Sequence, residues 1–87
     1  MTTRERLEKR LEGTVAVLKA KYHPEKIILY GSLARGKVRR WSDIDLVVIK
    51  RTRERFLRRL PEADRIADPE FHGGLDILVY TPAEVKR

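Results

Sequence analysis

The first stretch of the chain carries apolar residues at helical spacing. Four of them recur at intervals of three and four residues: Leu7, Leu11, Val15 and Leu18. Thr2 and Glu5 have the spacing of a capping box, so the helix is predicted to begin directly after Thr2. It should end near Lys21, because the residue before Pro24 is driven out of the α-helical region.

Three short apolar runs predict the strands of a sheet. They are Lys26–Tyr30, Asp43–Ile49 and Leu75–Tyr80, each bounded by glycine, proline or polar residues. The segment between the first two strands is only about a dozen residues long, which leaves their pairing direction open. The sheet is therefore predicted to be mixed.

Two further segments favour helices. Arg51–Leu60 has apolar residues on a helical repeat, and Pro61 is expected either to stop that helix or to start a new turn. Ala63–Phe71 is ambiguous between an irregular segment and an edge strand. Thr81 to Glu84 reads as an N-cap, a proline and a glutamate, which is a strong start for a helix that can only be short here.

This order of elements predicts one small α/β (α+β) domain over residues 1–87. Its helices would flank a small mixed sheet of about three to four strands. At this length the domain buries only about 60–65% of the surface that its unfolded chain exposes, so surfaces for partners matter.

Composition narrows the class of protein. The chain has 41% hydrophobic residues and no cysteine, which favours a folded domain and excludes disulfides and thiolate metal sites. No apolar run approaches the roughly 20 residues of a membrane span, and the charged N-terminus does not resemble a signal peptide, so a cytoplasmic protein is expected. The net charge of +7 favours an anionic partner. The positive residues are spread out without stacking aromatics, so direct nucleic-acid binding is a minor alternative.

Three aspartates are candidates for metal chemistry. Asp43 and Asp45 are separated by one residue in a strand, so both side chains point to the same face. Adjacent carboxylates raise each other's pKa, and a divalent cation such as Mg²⁺ relieves that repulsion. Asp76, inside the Leu75–Tyr80 run, is the candidate for a third ligand from a neighbouring strand. The alternative is structural: Asp43 would cap a turn and Asp76 would begin a strand at the surface.

The pair Gly31-Ser32 follows the first strand and precedes a predicted turn of helix. Glycine lets the backbone approach a phosphate closely, and N–H groups with a serine hydroxyl can hold phosphate oxygens. Such pairs are also ordinary turns. The position of this one, about a dozen residues before the aspartate pair, favours phosphate binding.

Residues 31–48, GSLARGKVRRWSDIDLVV, closely resemble the signature of the DNA polymerase β nucleotidyltransferase superfamily. The form is similar to the minimal nucleotidyltransferases of bacteria and archaea, and it implies their polymerase-β-like catalytic core. By this resemblance Gly31 and Ser32 hold the β- and γ-phosphates of a nucleoside triphosphate. Asp43 and Asp45 bind two Mg²⁺ ions, and Asp76 binds the metal on the side of the attacking hydroxyl and can accept its proton.

The resemblance also covers residues between the glycine and the aspartates. Arg35 and Ser42 match the family motif and are expected to help hold the phosphates or the loop. Lys37, Arg39 and Arg40 lie in a variable spacer, where they either neutralise the triphosphate or form a solvated basic loop. Trp41 either stacks on a base or packs against the loop.

Finally, the resemblance implies a partner. Minimal nucleotidyltransferases are commonly encoded beside helical HEPN toxins, and as antitoxins they transfer AMP from ATP to a tyrosine of the toxin. A core this small has no acceptor-binding domain, which fits an acceptor delivered by another molecule. One alternative is an inactive antitoxin or binding module that neutralises its toxin by contact. Transfer to a small molecule or to an RNA end is a further alternative.

Overall fold

The computed structural model describes residues 2–31, 44–70 and 72–86, which form three helices and three strands. In chain order these are α1 (Thr3–Lys21), β1 (Lys26–Tyr30), β2 (Ile44–Ile49), α2 (Phe56–Ala67), β3 (Leu75–Tyr80) and α3 (Pro82–Val85). The predicted bounds of α1, β1 and β3 are confirmed. Asp43, the predicted first residue of β2, lies outside the described residues.

The strands form one mixed sheet in the order β1-β2-β3. β1 runs antiparallel to the central β2, and β3 runs parallel to it. The connection from β2 to β3 passes through α2, as a parallel pair requires. The small mixed sheet and its flanking helices confirm the predicted fold class.

Successive side chains along each strand point to opposite faces of the sheet, and the two faces differ in burial. Ile44, Leu46 and Val48 of β2 are fully or almost fully buried and pack in one core with residues of α1 and α2. Full burial of each such side chain contributes about 1.5–3 kcal/mol. The residues between them in β2 belong to the other face, where Ile28 and Tyr30 of β1 remain 40% and 36% exposed.

The prediction for the segment around Pro61 was wrong. The helix begins at Phe56 rather than Arg51, and it continues through Pro61 to Ala67. Its apolar positions stay on one face across the proline: Phe56, Leu60, Ala63, Ile66 and Ala67. Proline inside a helix costs about 3 kcal/mol. Burial of the apolar face against the core offsets that cost, and Pro61 itself lies on the exposed side of the helix.

A buried arginine joins α2, β3 and α3. Arg59 is 6% exposed and donates hydrogen bonds to the Val79 carbonyl (3.2 Å), the Glu54 carbonyl (2.8 Å) and Glu84 Oε1 (2.7 Å). Thr81 and Glu84 complete the predicted capping box of α3, with bonds of 3.2 and 2.7 Å. The guanidinium of Arg59, followed by the Thr81 backbone, holds the pKa of the Glu84 carboxyl below its usual range.

Within the described ranges, no helix is both long and apolar enough to cross a membrane.

Candidate active site

Three oxygen-bearing side chains lie in one row across the sheet. Tyr30 at the end of β1 is paired with Asp45 of β2, and Asp45 is paired with Asp76 of β3. Residues directly opposite each other in adjacent strands project to the same face, and the strands are about 4.8 Å apart. The register therefore places the two carboxylates side by side, with the phenol next to the first.

The turn after β1 lies against one of these carboxylates. Gly31 has a φ of +82°, in the region that favours glycine. A Cβ added there would overlap Oδ2 of Asp45 and lie 3.0 Å from its Cγ. Glycine is thus required at this position for its backbone conformation and for the space that it leaves to the Asp45 carboxylate.

The electrostatics of the row favour a cation. Partial burial raises the pKa of the Tyr30 phenol, and the negative charges of Asp45 and Asp76 raise it further. A phenol is kept protonated in this way where the local potential is negative. Two carboxylates on adjacent strands are also the oxygen donors that Mg²⁺ binds, so the donor chemistry of the row fits a divalent metal ion.

The structure brings together three of the residues that the sequence singled out. Gly31, Asp45 and Asp76 meet at one end of the sheet. The other candidates lie outside the described residues: Ser32, Arg35, Lys37, Arg39, Arg40, Trp41, Ser42 and Asp43. Within residues 2–31, 44–70 and 72–86, no group of three or more acidic, histidine or cysteine side chains could hold a metal ion. The three-carboxylate metal site therefore remains a prediction.

Sequence reasoning missed Tyr30 as a neighbour of the site. Its signal is its place directly before the Gly-Ser pair at the end of a strand. That signal locates Tyr30 beside Asp45 only once β1 and β2 are known to be antiparallel, and the pairing direction was left open.

Sequence reasoning also missed Asp68, which organises the loop before β3. Asp68 is 5% exposed, and its carboxylate accepts backbone N–H bonds from His72 and Gly73, both 2.9 Å long. These two bonds, with help from the Arg10 charge, hold the pKa of Asp68 below its usual range. The next residue, Gly74, accepts a hydrogen bond from the Ile44 N–H at 2.9 Å. Asp68 thereby connects the start of β3, which carries the Asp76 carboxylate, to the start of β2. The available signal was an aspartate ahead of the His-Gly-Gly turn, since aspartate commonly caps such turns.

Comparisons with known proteins agree with this geometry. Residues 12–86 match the family described as Polymerase beta, Nucleotidyltransferase. Because the match covers most of the chain, the protein belongs to this family of nucleotidyltransferases, and the resemblance found in the sequence is confirmed.

A solved structure shares the fold. It is the crystal structure of a proposed nucleotidyltransferase from Sulfolobus solfataricus, which superposes with a TM-score of 0.71 at 22% identity. The alignment covers 98% of this chain and 76% of that chain. At this identity the likeness concerns the fold alone. No curated protein sequence matches the chain.

Proposed function

We propose that in the cytoplasm this nucleotidyltransferase transfers a nucleoside monophosphate, AMP from ATP, to a hydroxyl of a protein partner. The observation that carries the proposal is the pairing of Asp45 with Asp76 beside the Gly31 turn. This arrangement supplies adjacent carboxylates and a closely approaching backbone in a protein of the nucleotidyltransferase family. Phosphoryl chemistry relies mainly on such positioning and electrostatic stabilisation.

In this proposal Asp43, Asp45 and Asp76 hold two Mg²⁺ ions. When bound, the ions neutralise charge on the triphosphate and make the acceptor hydroxyl more acidic. Gly31 has no Cβ, and glycine alone fits against Asp45 there. A backbone without a Cβ can also approach a phosphate oxygen closely. The phosphates are held further by Ser32, together with Arg35 and Ser42.

The proposed reaction exchanges a phosphoanhydride bond of the nucleoside triphosphate for a phosphate ester bond to the acceptor. The acceptor oxygen forms a bond to the α-phosphorus, and the bond from that phosphorus to the oxygen bridging to the β-phosphate breaks. Pyrophosphate leaves with the bridging oxygen. The proton of the acceptor hydroxyl passes to the Asp76 carboxylate, which is exposed to solvent and can release it.

The proposed acceptor is a tyrosine of a HEPN-type toxin, with the present protein as its antitoxin. The described residues form the sheet, the helices that cover its core face and the segments that connect them. The acceptor is therefore proposed to be delivered by another molecule, as the sequence resemblance implies.

The test is transfer of label from ATP to a purified HEPN partner in the presence of Mg²⁺. Label at the α-phosphate should appear on the partner, and label at the γ-phosphate should not. Asp45→Asn and Asp76→Asn should abolish transfer, while Glu62→Gln, an exposed change on α2, should leave it intact. If the partner is bound but receives no label, the enzymatic proposal is wrong. Neutralisation of the toxin by both aspartate variants would favour inhibition by contact alone.

A further inference from the structure

The open edge of the sheet lies beside Asp76. β3 is the last strand of the described sheet. Gly74 and Tyr80 direct their carbonyls to β2, because these accept hydrogen bonds from the Ile44 and Lys50 N–H groups at 2.9 Å. In a parallel pair the intervening residues direct their backbone groups the other way. Leu75, Ile77 and Val79 therefore present N–H and C=O groups along the edge.

Among the residues that the structure describes, a side chain closes one end of this edge. Arg59 donates to the outward carbonyl of Val79, and its guanidinium is buried there. In the described ranges, no group outside the sheet bonds to the outward backbone groups of Leu75 and Ile77. Unpaired edge groups are a template for another strand, and proteins usually cover them. The uncovered part of β3 includes Asp76.

A groove of about 400 Å³ runs along the same part of the edge, between α2 and β3. Its apolar wall consists of Leu57, Leu60 and Pro61 from α2, with Leu75 and Ile77 from β3. Leu57 is 78% exposed, the highest exposure among the large hydrophobic residues that the structure describes. The groove thus combines unpaired backbone groups with an apolar wall, as do sites that bind an extended peptide.

The charges in the groove define the partner further. Of the described residues that line it, two are charged, Asp64 and Asp76, and both are acidic, although the whole chain carries a net charge of +7. In the part of the chain that the structure describes, neither forms an ion pair. A segment with a basic side chain near Asp64 is therefore complementary to this groove.

We propose that this edge and groove bind an extended segment of the acceptor protein as an added strand next to β3. Side chains alternate along a strand, so the residue opposite Asp76 would project to the face that carries the carboxylates. Its two neighbours would project to the α2 side, against Leu57 and Leu60. The preferred sequence is a hydroxyl residue flanked by apolar residues, with a basic residue near Asp64.

This inference rests on the proposed function for its choice of partner, and it adds how that partner would be bound. The hydroxyl opposite Asp76 is the group that receives the nucleoside monophosphate, with its proton passing to that carboxylate and pyrophosphate leaving. Strand addition places the acceptor by backbone hydrogen bonds, and the apolar neighbours select the sequence.

Selection from a displayed library of short random peptides tests the site without nucleotide or metal. We expect enrichment of a serine, threonine or tyrosine with an apolar residue on each side. Leu57→Lys should weaken binding of an enriched peptide by about tenfold or more, because it places a charge in the apolar wall. Val85 is also an exposed apolar residue, but it lies on α3, away from the groove. Val85→Lys is therefore the matched control and should bind the peptide normally.

Backbone methylation distinguishes strand addition from contact by side chains. In an enriched peptide, N-methylation at alternate residues should abolish binding, and methylation at the residues between them should not. No enrichment of the pattern, equal binding by Leu57→Lys, or no dependence on the methylated position would overturn the proposal. A self-associated wild type that Leu57→Lys converts to a monomer would also overturn it, because a second copy would then occupy the groove.

The two proposals fail in different ways. Peptide binding with the predicted pattern but without transfer of label would leave the edge site standing and refute the enzymatic proposal. Transfer to the HEPN partner that Leu57→Lys does not impair would refute the edge site alone.

Discussion

Asp45 of β2 lies directly opposite Asp76 of β3 in the parallel register of the sheet. Like charges in directly opposite positions of a sheet repel each other, so we expect this pair to reduce stability when no cation is bound. Asp76→Asn should stabilise the metal-free protein by about 0.2–1 kcal/mol, because it removes that repulsion. The same variant should lose nucleotidyl transfer. Urea unfolding without divalent cations measures the first effect, and a destabilised variant would contradict it.

The ionisation of Tyr30 should report on the carboxylates beside it. Burial and the charges of Asp45 and Asp76 favour the protonated phenol. Replacing Asp76 with asparagine should therefore lower the pKa of Tyr30 toward its ordinary value, as followed by NMR of labelled tyrosine. Tyr22 is the internal control: its pKa is raised chiefly by burial and by Glu62, so it should not change. An unchanged Tyr30 would mean that Asp76 lies farther away than the register implies.

Two glycines offer a matched pair of substitutions. Gly31→Ala should destabilise the protein by about 1–3 kcal/mol, because alanine is strained at its φ of +82°. It should also abolish transfer, since the new methyl group meets the Asp45 carboxylate. Gly13→Ala in α1 should instead stabilise by about 0.5–1 kcal/mol, because helical alanine is favoured and a Cβ there meets no atom within 4 Å. Equal effects of the two changes on urea unfolding would contradict this account.

The carboxylate of Asp68 should make folding stability depend on pH. Its pKa is lowered in the folded state, chiefly by N–H bonds from His72 and Gly73 and also by the charge of Arg10. A lowered folded pKa stabilises the protein above the unfolded pKa of about 4, and this contribution is lost as the pH falls through the folded value.

Asp68→Asn tests this linkage. The variant should be less stable than the wild type at neutral pH, and its stability should fall less between about pH 5 and about pH 2. The urea midpoint measured across this range checks both expectations. A variant with the wild-type pH dependence would show that other carboxylates account for the acid sensitivity.

Much of the fold could be predicted because its signals are local. The helical spacing of Leu7, Leu11 and Leu18, with the Thr2 cap, defines α1 within its own segment. The short apolar runs of β1 and β3 likewise end at glycine, proline or polar residues. Thr81 and Glu84 set the start of α3 by contacts within a single turn. The family motif could be recognised for the same reason, since Gly31 and Asp45 stand in one contiguous stretch.

The helix across Pro61 could not be predicted from local signals. Proline normally stops a helix, and here the outcome depends on how much of the face around Ala63 is buried by other elements. That burial comes from α1 and the sheet, which are distant in sequence. Tertiary packing therefore overrode the local preference.

The sequence by itself determined α1, β1, β3 and the start of α3, the nucleotidyltransferase family and the candidate aspartates. Tertiary structure alone decided that Tyr30, Asp45 and Asp76 share one row, and that Gly31 leaves room for the Asp45 carboxylate. It also decided that Arg59 closes one end of the β3 edge, and that no group in residues 2–31, 44–70 and 72–86 closes the end beside Asp76. The physical reason is that strand direction, register and edge position are set by pairing between distant segments, which no local spacing of residues encodes.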